Sequence, residues 1–316
     1  MVRWLRIAAA LAYAGCSSGA SAPPTETGAV DTPPVDTGTS GGDSTPAVDH
    51  TVDPPTGPWA AIAPGGYHTC GIRSTDGSLG CWGFNADGQA EPPEGQDYVA
   101  IASGTSSSCA LSAVGEVTCW GYALPDTSTD ALMNLSLGFT HACGVDAVGG
   151  AHCWGESASG QASPPEGTYR KIAAGGYHSC GIQGIGTLLC WGTGLGVKDP
   201  APQGDKWVSI TAGGEHSCVI DSAGTMDCWG FPGAGRTTPP AGIYSQVAAG
   251  GVHTCALTTT GQVVCFGLNE QGQSNAPEGT FTTVRSGYRH SCAIDPDGVA
   301  HCWGENVGGQ APEDIP

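Results

Sequence analysis

The chain is predicted to be all-β, a seven-bladed β-propeller of four-stranded antiparallel blades with one disulfide per blade. Three observations predict it: a composition that disfavours helix, a cysteine pair that recurs at a fixed period, and strand-length segments between turn residues. Of 316 residues, 52 are Gly and 23 Pro, and only 12% are charged, which favours many short strands and tight turns. Apart from Cys16, the cysteines fall into seven pairs: Cys70 with Cys81, Cys109 with Cys119, Cys143 with Cys153, Cys180 with Cys190, Cys218 with Cys228, Cys255 with Cys265, and Cys292 with Cys302. Successive first cysteines lie 39, 34, 37, 38, 37 and 37 residues apart, a period that marks a repeat architecture.

One repeat reads, in order, as an aromatic followed by an aliphatic three residues later (Tyr169 and Ile172; Trp207 and Ile210; Tyr244 and Val247), then AAGG, a His, a Cys and a short apolar stretch. A Gly-containing turn leads to the second Cys and CWG, and a loop often carrying GQ and PPEG closes the unit. The segments suit strands and are too short for helices. Seven such units suggest a closed propeller, with a linear β-solenoid as the alternative. The last repeat ends without a further aromatic-x-x-aliphatic strand, while the domain opens on one, WAAIA at 59–63. That strand is therefore expected to complete the blade built by residues 285–310.

Residues 1–16, MVRWLRIAAALAYAGC, place Arg3 and Arg6 ahead of an apolar stretch and read as an export signal. The stretch resembles a bacterial lipoprotein signal, which implies lipidation of Cys16; Ala12 and Ala14 also allow ordinary cleavage before Gly15. Residues 17–58 hold six acidic residues and no Lys or Arg amid Pro, Thr, Gly and Ser, a composition expected to be a disordered tether. Residues 59–316 form the propeller. A net charge of −19 with ten Lys and Arg opposes binding to nucleic acid or to an anionic membrane surface. The membrane is reached only through the lipid anchor, and the expected location is the bacterial cell envelope, as an outer-membrane lipoprotein or a secreted protein.

The pattern G-G-x-H-[ST]-C-[AG]-[LI], then Asp-Gly or its equivalent, C-W-G and G-Q resembles the repeat of the regulator of chromosome condensation family across all of 59–316. The resemblance implies a seven-bladed propeller whose rim binds a protein, with no single reaction common to its members. The cysteine pairs and export signal depart from eukaryotic members and argue against guanine nucleotide exchange. Repeat two has Ser107 in place of His, the loop before repeat three lacks GQ and PPEG, and repeat six has Phe266 in place of Trp.

Cysteines ten or eleven residues apart around a turn stand opposite each other on adjacent strands, which favours disulfides in an exported protein over a His/Cys metal site or free thiols. The expected bridges are the seven pairs named above, from Cys70–Cys81 to Cys292–Cys302. His68, His141, His178, His216, His253 and His290 answer a need of the repeat, expected to be a side-chain hydrogen bond to backbone. The aromatics of CWG (Trp82, Trp120, Trp154, Trp191, Trp229, Phe266 and Trp303) are expected to pack blades. The Asp-Gly and Glu-Gly pairs, such as Asp76-Gly77 and Glu94-Gly95, are turn formers. No cofactor and no catalytic constellation is expected. Specificity must come from the two residues before each His, which differ between repeats. GYRHS at 287–291 is similar to the G-W-R-H-T of the family's plant photoreceptor, and that resemblance implies a contact face made by Tyr67, Phe139, Tyr177, Glu215, Tyr288 and Arg289. The expected function is a monomeric, non-catalytic scaffold for a protein or glycan; the alternatives are an extracellular propeller enzyme or a secreted enzyme inhibitor.

Overall fold

The computed structural model describes residues 51–122, 124, 131–194, 196 and 201–312. Blade 1 contains β1 (Thr51–Val52), β2 (Trp59–Pro64), β3 (His68–Arg73) and β4 (Leu79–Phe84), in the order β1-β4-β3-β2. Blades 2 to 7 each pair three strands, beginning at Tyr98–Ser103, Leu132–Leu137, Tyr169–Ala174, Trp207–Ala212, Tyr244–Ala249 and Thr283–Ser286. These first strands and β2 line a central channel.

The aromatic and the aliphatic three residues on would face opposite sides of a regular strand. A one-residue register shift separates them, between Tyr169 and Lys171 in blade 4 and between Tyr244 and Gln246 in blade 6. The bulge returns both to one face, so Tyr169 and Ile172, and Tyr244 and Val247, are buried together. On the next two strands the two cysteines of every blade are directly opposite in register.

All seven predicted disulfides are present. They join Cys70 to Cys81 in blade 1, Cys109 to Cys119 in blade 2, Cys143 to Cys153 in blade 3 and Cys180 to Cys190 in blade 4. Blades 5 to 7 carry Cys218–Cys228, Cys255–Cys265 and Cys292–Cys302. Their Cα atoms lie 4.0–4.1 Å apart, matching the closer type of antiparallel pair. Each bridge closes a short loop, a restraint on the unfolded chain of about 2.5 kcal/mol.

Three expectations are corrected. Among the described residues, four hydrogen-bonded strands occur in blade 1 and three in each of the others, and the segment after CWG leaves the sheet at a glycine of positive φ, such as Gly155 at 97°. That segment then lies against the following blade, and its prolines cannot donate to a ladder. The strand at 59–64 pairs with β3 and not with blade 7, which has its own first strand at Thr283–Ser286. The expected tether also ends earlier than residue 58: Thr51 and Val52 pair with Phe84 and Gly83, so 51–58 belong to blade 1. The export signal, Cys16 and the rest of the tether lie outside the described residues.

Ring closure rests on three sets of bonds between blades. The histidine Nε2 meets the hydroxyl of the Ser or Thr that follows the next blade's histidine position: His68 with Ser108, His141 with Ser179, His178 with Ser217, His216 with Thr254, His253 with Ser291, and across the closing junction His290 with Thr69, all at 2.6–2.8 Å. The expected partner was backbone; the observed one is a side chain of the neighbouring blade. A second set runs through backbone, from Gly66 N to Gly104 O, Gly176 N to Gly213 O and, at closure, Tyr288 N to Gly65 O, each 3.0 Å. In the third, the Trp of CWG donates to the preceding blade's loop: Trp120 to Gln89 O, Trp191 to Gln161 O, Trp303 to Gln273 O and, at closure, Trp82 to Gln310 O.

One junction departs from all three. Between blades 2 and 3, Ser107 offers no imidazole and Ala142 no hydroxyl, so both ends of the link are changed together. Among the described residues no bond joins Thr105 N to Gly138 O, and Trp154 Nε1 is buried without a partner. Apolar packing of Leu111, Val117 and Leu132 with Leu124, Leu137 and Trp154 remains. Lacking these polar links, the junction should open most readily. Hydrogen exchange is expected to show the amide of Thr105 exchanging at least tenfold faster than its equivalents Gly176 and Gly251, which donate to Gly213 O and Gly287 O; equal protection would contradict a weak seam.

Candidate functional site

The loop after each first strand, at 65–67, 104–106, 138–140, 175–177, 213–215, 250–252 and 287–289, reaches the same end of the channel. Neighbouring loops approach so closely that a side chain on the first glycine has no room. A Cβ on Gly175 would lie 2.5 Å from Gly213 O and 2.7 Å from the His178 ring.

The second and third loop residues, grouped together in the sequence, separate in space. At the second, blades 3 and 7 carry Phe139 and Tyr288, and their rings meet across the channel at 5.6 Å between centroids. Tyr177, a third-position residue of blade 4, packs edge-on against Phe139 at 6.2 Å. The rings need the glycines beside them: a Cβ on Gly214 would stand 3.3 Å from Phe139 and one on Gly251 2.2 Å from Tyr288. Phe139 and Tyr288 thus form a half-buried lid over the channel, while Tyr177 stays 51% exposed at its edge.

Arg289 lies with its guanidinium carbon 5.8 Å from the Tyr288 ring centre, close enough for a cation–π contact. Its charge acts on Glu305, whose carboxyl is pushed up by burial and partly drawn back by Arg289. Glu215 is exposed on the loop of blade 5. Beneath it, Arg236 donates to Gly233 O and Gly251 O and packs over Phe231; burial lowers its pKa, and the Glu215 charge opposes that shift. Tyr67, on blade 1, is half-buried. The structure therefore gathers Phe139, Tyr177, Tyr288 and Arg289 into one cluster and places Tyr67 and Glu215 on the same ring of loops. Arg236 was missed because it replaces the Gln of GQ in a loop read as scaffold.

The histidine ladder lies behind these loops. The hydroxyls of Thr69, Ser179 and Thr254 donate to the carbonyls of Gln310, Gln161 and Arg236, so they accept from His290, His141 and His216, whose Nε2 carries the proton. Nδ1 of these three is a buried acceptor without a partner, which costs less than a buried unpaired charge. Burial pushes the pKa of His68, His141 and His178 down to about 4 and that of His216, His253 and His290 down to about 3.

The regulator of chromosome condensation (RCC1) repeat model matches residues 207–236, 244–273 and 281–310. Blades 5 to 7 carry RCC1 repeats. Each matched span runs from the aromatic of the first strand to the loop residue, Arg236, Gln273 or Gln310, whose carbonyl bonds the next blade, so an RCC1 repeat here is one blade plus its grip on its neighbour. Among solved structures, the ectodomain of the Physcomitrella patens receptor kinase CR4 is similar at 25% identity and TM-score 0.67, over 79% of this chain and 74% of that one. The CRINKLY ectodomain of the Arabidopsis thaliana receptor kinase ACR4 is similar at 21% identity and TM-score 0.67, over 82% of this chain and 100% of that one. Prp20p from Saccharomyces cerevisiae follows at 21% identity and TM-score 0.51, over 80% and 74%. The RCC1-like propeller suggests a binding scaffold. Seven disulfides and the likeness to receptor ectodomains are consistent with an extracellular or secreted protein.

Above pH 6.5 the six ladder histidines are neutral whether the chain is folded or not. Between pH 6.5 and about 4 the unfolded chain takes up protons that the folded ring excludes, so each histidine lowers stability by about 1.4 kcal/mol per pH unit as the pH falls. The melting temperature is expected to fall by about 10 °C or more between pH 7.5 and 5.0; a flat profile over that range would contradict neutral burial of the ladder.

Proposed function

We propose that the protein is an exported binding scaffold, held to the bacterial envelope through a lipid on Cys16, whose loop face docks a protein or glycan. One observation carries the reading: seven loops with nearly the same backbone course are decorated unequally, with Phe139, Tyr177, Tyr288, Arg289, Tyr67 and Glu215 all at the same end of the ring. Aromatic residues and arginine are the usual anchors of protein interfaces, and rigid aromatic rings also stack on sugars. The rigid ring holds these side chains at fixed spacing, which lowers the ordering cost of binding.

The resemblance supports the reading at the level of architecture. The receptor kinases present their propellers as ectodomains, and Prp20p is described by its binding to Gsp1p and histones. The acidic surface favours partners that are neutral or basic.

The test is a screen of the full chain against arrayed glycans and displayed secreted proteins, repeated with Tyr177→Ala/Glu215→Ala/Arg289→Ala. The Phe139–Tyr288 contact is kept while the Tyr177 and Arg289 contacts at its edge are lost, so the variant should stay folded, which its cooperative thermal unfolding checks. A bound partner should lose at least tenfold in affinity. Unchanged affinity, or chemical turnover of the captured molecule, would overturn the assignment.

A further inference from the structure

The channel below the aromatic lid has a composition unlike the rest of the molecule. It encloses a cavity of about 780 Å³ lined by the first strands of all seven blades, within the size range of small-molecule sites. Its walls are aliphatic, from residues such as Ile172, Leu135 and Val247, interrupted by the polar groups of Asn134, Ser209, Thr211 and Gln246. The chain has 29 acidic residues and ten Lys and Arg. Yet among the described residues the charged groups lining this cavity are Lys171 and Arg285, both cations, with no carboxylate beside them.

Their placement is also specific. Lys171 occupies the third position of the first strand of blade 4, where the other blades carry Ala61, Ala100, Asn134, Ser209, Gln246 and Thr283. Arg285 occupies the fifth position in blade 7, where the others carry Ala63, Ala102, Ser136, Ala173, Thr211 and Ala248. Blades 4 and 7 are three steps apart in a ring of seven, so the two cations lie on nearly opposite sides of the channel. The Arg285 guanidinium donates to Thr283 Oγ1 and Val284 O, and among the described residues neither cation forms an ion pair. Lys171 and Arg285 are both exposed to solvent where they line the channel, so an anion that enters can reach them. Two like charges lining one concave channel without a carboxylate reinforce each other's positive field there.

We propose that the channel is a binding site for a small organic dianion, an aliphatic dicarboxylate whose two carboxylates pair with Lys171 and Arg285 and whose methylenes lie on the aliphatic walls. The site is separate from the loop face: Phe139 and Tyr288 close that end of the channel. Entry is from the opposite end, where Val99, Met133 and Val208 of the first strands are exposed. Charge-assisted hydrogen bonds supply the selectivity for anions, and the separation of the two cations selects chain length.

The experiment is calorimetric titration of the full chain, at low salt and neutral pH, with linear dicarboxylates from malonate to suberate and with acetate and a diamine as controls. One chain length is expected to bind best, at least tenfold more tightly than acetate, with no binding of the diamine. Lys171→Met and Arg285→Met should each weaken it at least tenfold while the melting temperature without ligand is kept. Should either variant fail to fold, wild-type protein still decides the matter: nuclear Overhauser contacts from ligand methylenes to the methyl groups of Ala173 and Ile210 place the ligand in the channel. Absence of binding across the series, binding unaffected by both substitutions, or contacts only outside the channel would overturn the proposal.

Discussion

The hydrogen bond from a buried imidazole of one blade to a hydroxyl of the next is the interaction on which the ring depends. It fixes more of the repeat than the two residues that make it. The imidazole needs the glycine before it to lack a side chain, because the neighbouring loop and the ring itself occupy the Cβ position. The hydroxyl has to stand directly before the first cysteine, and in Thr69, Ser179 and Thr254 it also donates to the carbonyl of the preceding blade's loop. First glycine, histidine, hydroxyl and loop are therefore parts of one joint.

Disulfides and joints do different work. Each of the seven disulfides lies within a blade and ties two strands already paired, as Cys143–Cys153 and Cys255–Cys265 do; among the described residues none crosses a junction. They hold each blade together but leave ring closure to hydrogen bonds and apolar packing. Closure uses the same joint as the other junctions: His290 meets Thr69, Tyr288 N meets Gly65 O, and Trp82 reaches Gln310 O. No strand is exchanged between first and last blades, and blade 1 draws its extra strand from Thr51 and Val52 instead.

Much of this was legible in the sequence because a repeat exposes what each unit needs. The period gave seven blades, and cysteines bracketing a turn gave seven disulfides. The role of the histidines was half legible: their recurrence argued for structure, but the hydroxyl partner lies about 38 residues away in sequence, in the next unit. Strand closure was misread because the first strand of one repeat and the strand that would follow the last look identical in sequence; only pairing distinguishes them. At the loop face, Phe139 and Tyr288 were found as variable residues, yet their meeting across the axis joins blades 3 and 7 and has no local signal. Lys171 and Arg285 were passed over because they sit at the variable positions of a strand read as scaffold.

The central claim is that the imidazole–hydroxyl joint closes the ring, and a double-mutant cycle across the closing junction tests it most directly. Thermal or denaturant unfolding of wild type, Thr69→Val, His290→Ala and the double variant gives the coupling between the two side chains, free of the cavity and packing costs of each substitution. The account predicts a coupling of about 1 kcal/mol. Substitutions whose effects simply add would show that His290 and Thr69 stabilise the protein independently, and would contradict it.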